Sequence, residues 1–266
     1  MVNVSISALS SVLEYSLGIP ISALPVVSNF RNAINKAAPS LESIWDISVL
    51  LKLVNSWGED ATLKLGMLAL KIVILLRIDC FARSSDLTKL FRSQIVFELN
   101  RVKIRFLRPK EWRPLGTHTA GQWSAWVYIH KLQGNQATCT FRTLQTWIRR
   151  TEKMAPGIEA EGFSGVPLCI HPEGRNQGSP MSAKRIAQLS LLAMRWAGVD
   201  PRYSARSIRA AAASAAKDFG VAEKVILQQG RWSDPKMFRK YYYRPLVRSI
   251  KVLRTGSLQE VLRSAI

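Results

Sequence analysis

The sequence is poor in the residues that most often build metal centres and disulfide frameworks. Its 266 residues include three cysteines and three histidines. Cys80, Cys139 and Cys169 are far apart and form no C-x-x-C pair, and the histidines are equally scattered. This spacing argues against a structural zinc site and is typical of a protein in a reducing, intracellular compartment. We expect neither a metal nor a cofactor.

Acidic residues are also scarce relative to basic ones. The chain has 18 Asp and Glu against 38 Lys and Arg, a formal net charge of +20 and an isoelectric point near 10.4. Such an excess indicates a polyanionic partner, and nucleic acid is the usual one because Lys and Arg neutralise its phosphates. An apolar share of 47% and a charged share of 21% are typical of a folded globular protein.

The sequence also lacks an uninterrupted hydrophobic run long enough to predict a membrane span. Its longest apolar stretch, residues 63–81, contains Lys64, Lys71, Arg77 and Asp79, which favours a buried helix. We place Lys64 and Lys71 on the solvent side of that helix. No Lys- and Arg-rich amphipathic segment stands apart, so we expect no membrane partner.

The order of hydrophobic patterns predicts a mainly α fold with one small antiparallel β-sheet (α+β). The alternation typical of strands is confined to residues 94–99, 102–107 and 123–130. Helical patterns precede and follow it, at residues 48–54, 62–81, 141–154, 182–197, 207–219, 222–229, 235–243 and 257–265. A Gly- and Pro-rich region around residues 162–180 is expected to be a loop.

Four short motifs occur in order along the chain. Arg83-Ser-Ser-Asp86-Leu87 begins a helix, Arg206-Ser-Ile-Arg209 opens an alanine-rich helix, Gly230-Arg-Trp232 follows, and Tyr241-Tyr242-Tyr243 comes last. This order resembles the active site of the tyrosine recombinase (phage-integrase-like) family, over about residues 45–250. That family carries four elements in the same order: an R-x-x-E/D-L element, an H-x-x-R element, a His or Trp box and a nucleophilic Tyr.

The resemblance implies a phosphate-binding role for the arginines. Arg83 and Arg209 would hold the scissile phosphate, because a guanidinium fork matches its oxygens and stays charged. Asp86 would support them, and Trp232 would pad or hydrogen-bond the phosphate. The family mostly carries His where Arg206 stands. An arginine cannot act as a base at neutral pH, although it can still contact phosphate.

The resemblance also implies a nucleophile and a general acid. Tyr241 has the common family spacing from Trp232, whereas Tyr242 resembles the spacing in DIRS-like recombinases of eukaryotic mobile elements. We rank Tyr241 slightly ahead of Tyr242 as the residue that forms the covalent intermediate. The lysine that protonates the departing 5′ hydroxyl should lie on the β-hairpin after Arg83, and we prefer Lys110 to Lys103.

Further basic residues are candidates for contacts with DNA phosphates. Three lie on one predicted helix and two at the start of another; they are Arg142, Arg149, Arg150, Lys184 and Arg185. Their expected role is to position the duplex rather than to read its bases.

The family normally carries a complete helical core-binding domain before the catalytic one. Residues 1–40 resemble only the last helices of such a domain, so we expect a truncated remnant there and a catalytic domain at residues 41–266. The C-terminal helix at residues 257–265, amphipathic and separate, would dock on a neighbouring protomer in a DNA-bound tetramer.

The resemblance therefore implies a site-specific DNA recombinase or integrase from a mobile element. It would cut and rejoin double-stranded DNA through a covalent 3′-phosphotyrosine intermediate, without ATP or metal, inside the cell and in the nucleus of a eukaryotic host. Two alternatives stay open. One is a DNA-binding protein on the same fold that has lost catalysis through Arg206 and the short N-terminal segment. The other is a basic helical RNA-binding protein.

Overall fold

The computed structural model describes residues 44–107, 124–134, 137–160, 163–244 and 257–264. In chain order, its helices are α1 Ser48–Ser56, α2 Leu65–Asp79, α3 Ser84–Leu87, α4 Thr140–Arg150, α5 Ala183–Trp196, α6 Ser207–Asp218, α7 Glu223–Gly230, α8 Pro235–Tyr241 and α9 Leu258–Arg263. Its strands are β1 Ile95–Phe97, β2 Arg101–Leu107, β3 Ser124–His130, β4 Ile158–Ala160 and β5 Phe163–Gly165. The predicted fold class, mainly α with a small antiparallel sheet, is confirmed.

Helix α2 lies at the centre of the core. Twelve of its 15 residues are buried, as expected for a helix that is hydrophobic around its whole circumference. Helices α4, α5 and α6 all pack against it. In the part of the chain that the structure describes, neither this helix nor another is long and apolar enough to cross a bilayer.

The prediction that Lys71 faces solvent is wrong. Its side chain is fully buried, and its Nζ lies 2.7 Å from Asp60 Oδ1 and donates to the carbonyl of Gly58 at 2.7 Å. Asp60 in turn accepts a hydrogen bond from the Thr143 hydroxyl. A buried charge needs such partners, so Lys71 fastens the loop before α2. Lys64 is exposed, as predicted.

The three-stranded sheet is antiparallel in the order β1-β2-β3. Strand β2 alternates strictly, with Val102, Ile104 and Phe106 buried and the residues between them more exposed. Ile104 pairs with Ile95 of β1 and with Val127 of β3. A second hairpin, β4–β5, lies where a loop was expected, because strands of three residues carry too little alternation to be recognised.

The C-terminal helix α9 packs on its own chain, so the expectation of a separate helix is wrong. The Ser257 side chain caps it, Leu258 and Leu262 are buried, and Arg263 forms a bidentate ion pair with the buried Asp79 at the end of α2. Docking on a neighbouring protomer stays a prediction. The proposed core-binding remnant, residues 1–40, lies outside the described residues.

Candidate active site

Arg83 stands immediately before the short helix α3, between the core and the surface. Its backbone N–H donates to Asp86 Oδ2 at 2.9 Å, so the carboxylate closes the first turn of the helix. The Arg83 guanidinium reaches Tyr242, and its Nη2 donates to the phenol oxygen of Tyr242 at 2.9 Å. This bond joins the first predicted motif to the last, 159 residues apart in sequence.

Arg209, in the first turn of α6, is held in the same cluster. Its side chain is 2% exposed, and its Nη2 donates to the carbonyl of Gly230 at 2.7 Å. Its guanidinium carbon lies 4.4 Å from the ring centre of Trp232 and 5.0 Å from that of Tyr242. Contacts of this length between a cation and aromatic faces are attractive and fix the orientation of the guanidinium plane.

Trp232 lies against the other aromatic residues of the cluster. Its ring centre is 4.8 Å from that of Tyr242, 5.1 Å from that of Phe238 and 6.0 Å from that of Phe81. The ring also lies on Gly230, where an added Cβ would be 1.9 Å from Trp232 Cζ3. The buried indole Nε1–H has no hydrogen-bond acceptor among the described residues, which leaves a donor available to a ligand.

Asp86 is shared by several cations. Besides the Arg83 N–H, its Oδ2 accepts from Arg231 Nη2 at 3.0 Å, and Arg209 Nη1 lies 3.7 Å away. Arg231 is 1% exposed and has a left-handed backbone with φ of 60°. Its Nη1 donates to the carbonyl of Cys80 at 2.9 Å. Sequence reasoning gave Arg231 no role; its place between the glycine and tryptophan of a recognised motif was the available signal.

The three consecutive tyrosines have three different environments. Tyr242 is partly buried in the cluster just described. Tyr241, the last residue of α8, is 50% exposed, and Lys240 Nζ lies 5.2 Å from its ring centre. The Tyr243 hydroxyl donates to Asp218 Oδ1 at 2.9 Å, and burial together with this bond raises the pKa of Tyr243.

The structure does not bring every predicted residue into the cluster. Arg206 is exposed at the start of α6, and its side chain makes no hydrogen bond or ion pair with the part of the chain that the structure describes. Lys110 lies outside the described residues. Lys103 points from β2 toward Glu98, with its Nζ 2.9 Å from Glu98 Oε1.

The predicted DNA contacts on α4 fall into two groups. Arg150 donates to the carbonyls of Asp60 and Leu63, at 3.0 and 2.7 Å, and so holds the loop before α2. Arg142 and Arg149 line an open cleft of about 230 Å³ on the same side, together with acidic residues of that loop. Because the Arg150 guanidinium is bonded to backbone carbonyls, a structural role is favoured for it.

The other predicted pair lies at the start of α5. Lys184 and Arg185 are both exposed there. Close by, burial lowers the pKa of His171, and the positive charge of Arg185 lowers it further. The cation pair is therefore accessible to a polyanion, and the pKa of His171 depends on the charge of Arg185.

Beneath the cluster, Arg77 of α2 ties three elements together. Its Nη1 donates to the hydroxyls of Ser84 and Ser190, at 3.1 and 2.7 Å, and its Nη2 to the carbonyl of Ala205 at 2.6 Å. Burial lowers the Arg77 pKa to about 10, and the charge of Asp86 opposes this shift. Helix α3, which follows Arg83, and the segment before α6 are thereby fastened to one buried side chain.

The described residues hold no group of three or more His, Cys, Asp or Glu side chains that could bind a metal ion. The three cysteines are buried as free thiols, and burial raises the pKa of Cys169 to about 12.

Comparison with known proteins identified the fold through structure rather than sequence. No protein-family model matches the chain, and the curated proteins include no similar sequence. Among solved structures, the post-cleavage complex of XerH site-specific recombinase with a palindromic difH substrate superposes with a TM-score of 0.53 at 13% identity over 75% of this chain. That match covers 49% of the XerH chain, so the chain spans about half its length.

A second solved structure covers more of the chain. The Tn1549 transposon integrase in complex with circular intermediate DNA has a TM-score of 0.53 at 13% identity, over 93% of this chain and 76% of that one. Identities this low establish the fold alone. The two Arg motifs, the Trp box and a tyrosine meet on a mainly helical scaffold with a small antiparallel sheet, and the chain therefore has the fold of tyrosine recombinase catalytic domains.

Proposed function

We propose that the chain is the catalytic part of a site-specific DNA recombinase or integrase from a mobile element, which cuts and rejoins strands through a covalent 3′-phosphotyrosine. One observation carries the proposal: the cluster that contains both Arg83 and Arg209 also holds a phenol oxygen, on Tyr242, 2.9 Å from Arg83 Nη2. The net charge of +20 supports a polyanionic partner, and both solved relatives named above were crystallised with DNA.

The charges of the cluster suit phosphoryl transfer. Arg83 and Arg209 supply guanidinium donors for the non-bridging oxygens, where negative charge grows in the transition state. The free Nε1–H of Trp232 offers a further donor. The tyrosine phenol loses its proton as its oxygen attacks phosphorus, and a 3′-phosphotyrosyl bond forms. The bond to the 5′ oxygen breaks, and that oxygen takes a proton from the general acid and leaves as a hydroxyl. Attack by the 5′ hydroxyl on that intermediate reseals the strand and restores the tyrosine, so neither ATP nor water is consumed.

The geometry favours Tyr242 over Tyr241 as the nucleophile, the reverse of the ranking from spacing. Tyr242 contacts Arg83, Arg209 and Trp232, whereas Tyr241 is half exposed at the end of α8. A nucleophile must lie within reach of the phosphate that the arginines hold. The general acid stays assigned to Lys110, with Lys103 second.

A covalent trap tests the proposal without knowledge of the target sequence. The protein is incubated with nicked duplexes that carry a randomised central stretch, so that cleavage releases a short oligonucleotide and cannot be reversed. We expect a protein–DNA adduct that resists SDS and is removed by protease, and sequencing of the trapped strands gives the target. Tyr242→Phe should abolish the adduct, while the matched control Tyr241→Phe should keep it.

An adduct that disappears in Tyr241→Phe and persists in Tyr242→Phe would reverse the assignment of the nucleophile. Absence of an adduct from wild-type protein that nevertheless binds duplex DNA would refute the enzymatic proposal. That result would select the second candidate, a DNA-binding protein on the same fold. The observation that favours this candidate is the exposed Arg206, at the position where the family mostly carries His.

A further inference from the structure

We infer that Arg231 is a positioning residue: it occupies the Asp86 carboxylate, so that this carboxylate does not pull Arg209 out of its phosphate-binding position. The inference rests on the proposed function and assigns a third arginine to the same site. It follows from the contacts around one oxygen atom, Asp86 Oδ2.

Arg231 is built into the fold as a buried strut between three elements. Its side chain is 1% exposed, and its guanidinium donates to Asp86 on α3, to the carbonyl of Cys80 after α2, and to the carbonyl of Gln229. Its guanidinium carbon lies 4.0 Å from the ring centre of Phe106 on β2. These contacts satisfy the guanidinium from within the chain, so Arg231 itself is not offered to a phosphate.

The backbone of Arg231 supports a specific role for this side chain. Arg231 and Phe81 are the non-glycine residues with positive φ in the described ranges, and both border the cluster. Arg231 occupies the left-handed position after α7, where glycine is the usual residue. Residues held in sparsely populated backbone conformations gather at functional sites. The arginine at this position therefore adopts its backbone conformation at an energetic cost.

Asp86 and Arg209 lie close enough to attract each other. Arg231 Nη2 lies 3.0 Å from Asp86 Oδ2, and Arg209 Nη1 lies 3.7 Å from the same oxygen. Without Arg231, the carboxylate would lose its paired cation, and a partly buried charge demands another. Arg209 is the cation next to it and would close the gap. Its guanidinium would then leave its place over Trp232 and Tyr242 and would carry less positive charge toward a phosphate.

The test separates this electrostatic role from a purely structural one by a double-mutant cycle. Arg231→Met removes the cation and keeps an unbranched side chain against Phe106. Asp86→Asn combined with Arg231→Met also removes the negative charge that would attract Arg209. This double variant does not restore the hydrogen bonds to the carbonyls of Cys80 and Gln229. Arg231→Lys keeps the charge and loses the fork.

Single-turnover adduct formation and duplex affinity are measured for each variant on the trapped target. We expect Arg231→Met to slow adduct formation about 10²-fold, as a misplaced catalytic group does, with duplex affinity within about threefold of wild type because remote phosphates dominate it. The double variant should be faster than Arg231→Met by about fivefold or more, a normal size for coupled neighbours. Arg231→Lys should lie between wild type and Arg231→Met.

A double variant as slow as Arg231→Met, or an Arg231→Met protein that cleaves like wild type, would overturn the inference. Thermal unfolding is recorded for every variant. If Arg231→Met does not fold, Arg231→Lys is compared with the double variant instead. The positioning role then requires that the double variant folds and cleaves DNA. A purely structural role predicts that the double variant is less stable and less active than Arg231→Lys.

The inference can fail separately from the proposed function. If wild-type protein forms no adduct, the proposed activity has failed, and titration calorimetry with inorganic phosphate takes the place of the cleavage assay. A phosphate affinity that falls about fivefold in Arg231→Met and recovers in the double variant supports the positioning role. Equal affinities in all three proteins contradict it.

Discussion

The contact between Trp232 and Gly230 gives a sharp prediction, because one methyl group should displace the tryptophan that supports Arg209. In Gly230→Ala, the new Cβ would lie 1.9, 2.1 and 2.6 Å from three ring carbons of Trp232. To reach the ordinary contact distance of 3.4 Å from the first of them, the ring must retreat by about 1.5 Å. The ring is 5% exposed and packs between Phe81, Phe238 and Tyr242.

Two opposing effects set the magnitude. Gly230 is the last residue of α7, and alanine in place of glycine inside a helix gains up to about 1 kcal/mol. Overpacking a full core costs about 1–3 kcal/mol. We therefore expect a net loss of about 1–2 kcal/mol, or roughly 2–8 °C in the melting temperature for a chain of this size. Adduct formation should fall about 10²-fold, because Arg209 stacks on the displaced ring.

Thermal unfolding and single-turnover adduct formation measure the two effects. Gly157→Ala is the matched control, since its added Cβ would meet no atom within 4 Å and its backbone is not left-handed. We expect it to match wild type in both assays.

A double-mutant cycle shows whether the ring contact is the cause. In a Trp232→Ala background, Gly230→Ala should be neutral or stabilising by up to about 1 kcal/mol, because only the helix effect remains. An equal loss of stability from Gly230→Ala in both backgrounds would refute the reasoning.

Two further predictions concern groups outside the cluster. Arg263→Met should destabilise the protein by about 3–5 kcal/mol in urea unfolding, because it leaves the fully buried Asp79 carboxylate without its cation. Asp79→Asn combined with Arg263→Met should lower the free energy of unfolding clearly less. An equal loss in the two variants would contradict the charge argument. The His171 pKa, followed by NMR, should rise in Arg185→Ala but stay below its ordinary value of 6.5, because burial is the larger cause of its lowering. Since the folded pKa is lowered, the stability from neutral His171 is present above about pH 6.5 and is lost as the pH falls through the folded pKa. Bound duplex DNA should raise the His171 pKa if Arg185 contacts a phosphate, and an unchanged value would argue against that contact.

The elements that were predicted well are those whose pattern is local. Helix α2 is predominantly apolar along its length, and β2 alternates over seven residues, so local hydrophobic pattern alone defines them. Lys71 was misplaced because the period of one helix does not reveal how many neighbours surround it. The β4–β5 hairpin was missed because its pairing, rather than its composition, makes it a sheet.

The candidate site shows the same division between local pattern and tertiary contact. Arg83, Arg209 and Trp232 were predicted from order and spacing, which the chain carries in its sequence. The choice among the tyrosines could not be predicted in this way, because consecutive residues at the end of a helix point about 100° apart. The position of Tyr242 against Trp232 brings the hydroxyl of Tyr242, rather than that of Tyr241, to Arg83.

The sequence by itself determined the fold class, the strongly positive charge and the order of the basic and aromatic motifs, since each of these is a property of composition or of near neighbours. Tertiary structure alone decided which charges meet. The Asp86 carboxylate attracts Arg231 and Arg209 from two separate segments, and Asp79 binds Arg263 across 184 positions of the chain. Such pairings depend on how the helices pack around α2, and a linear pattern contains no record of that packing.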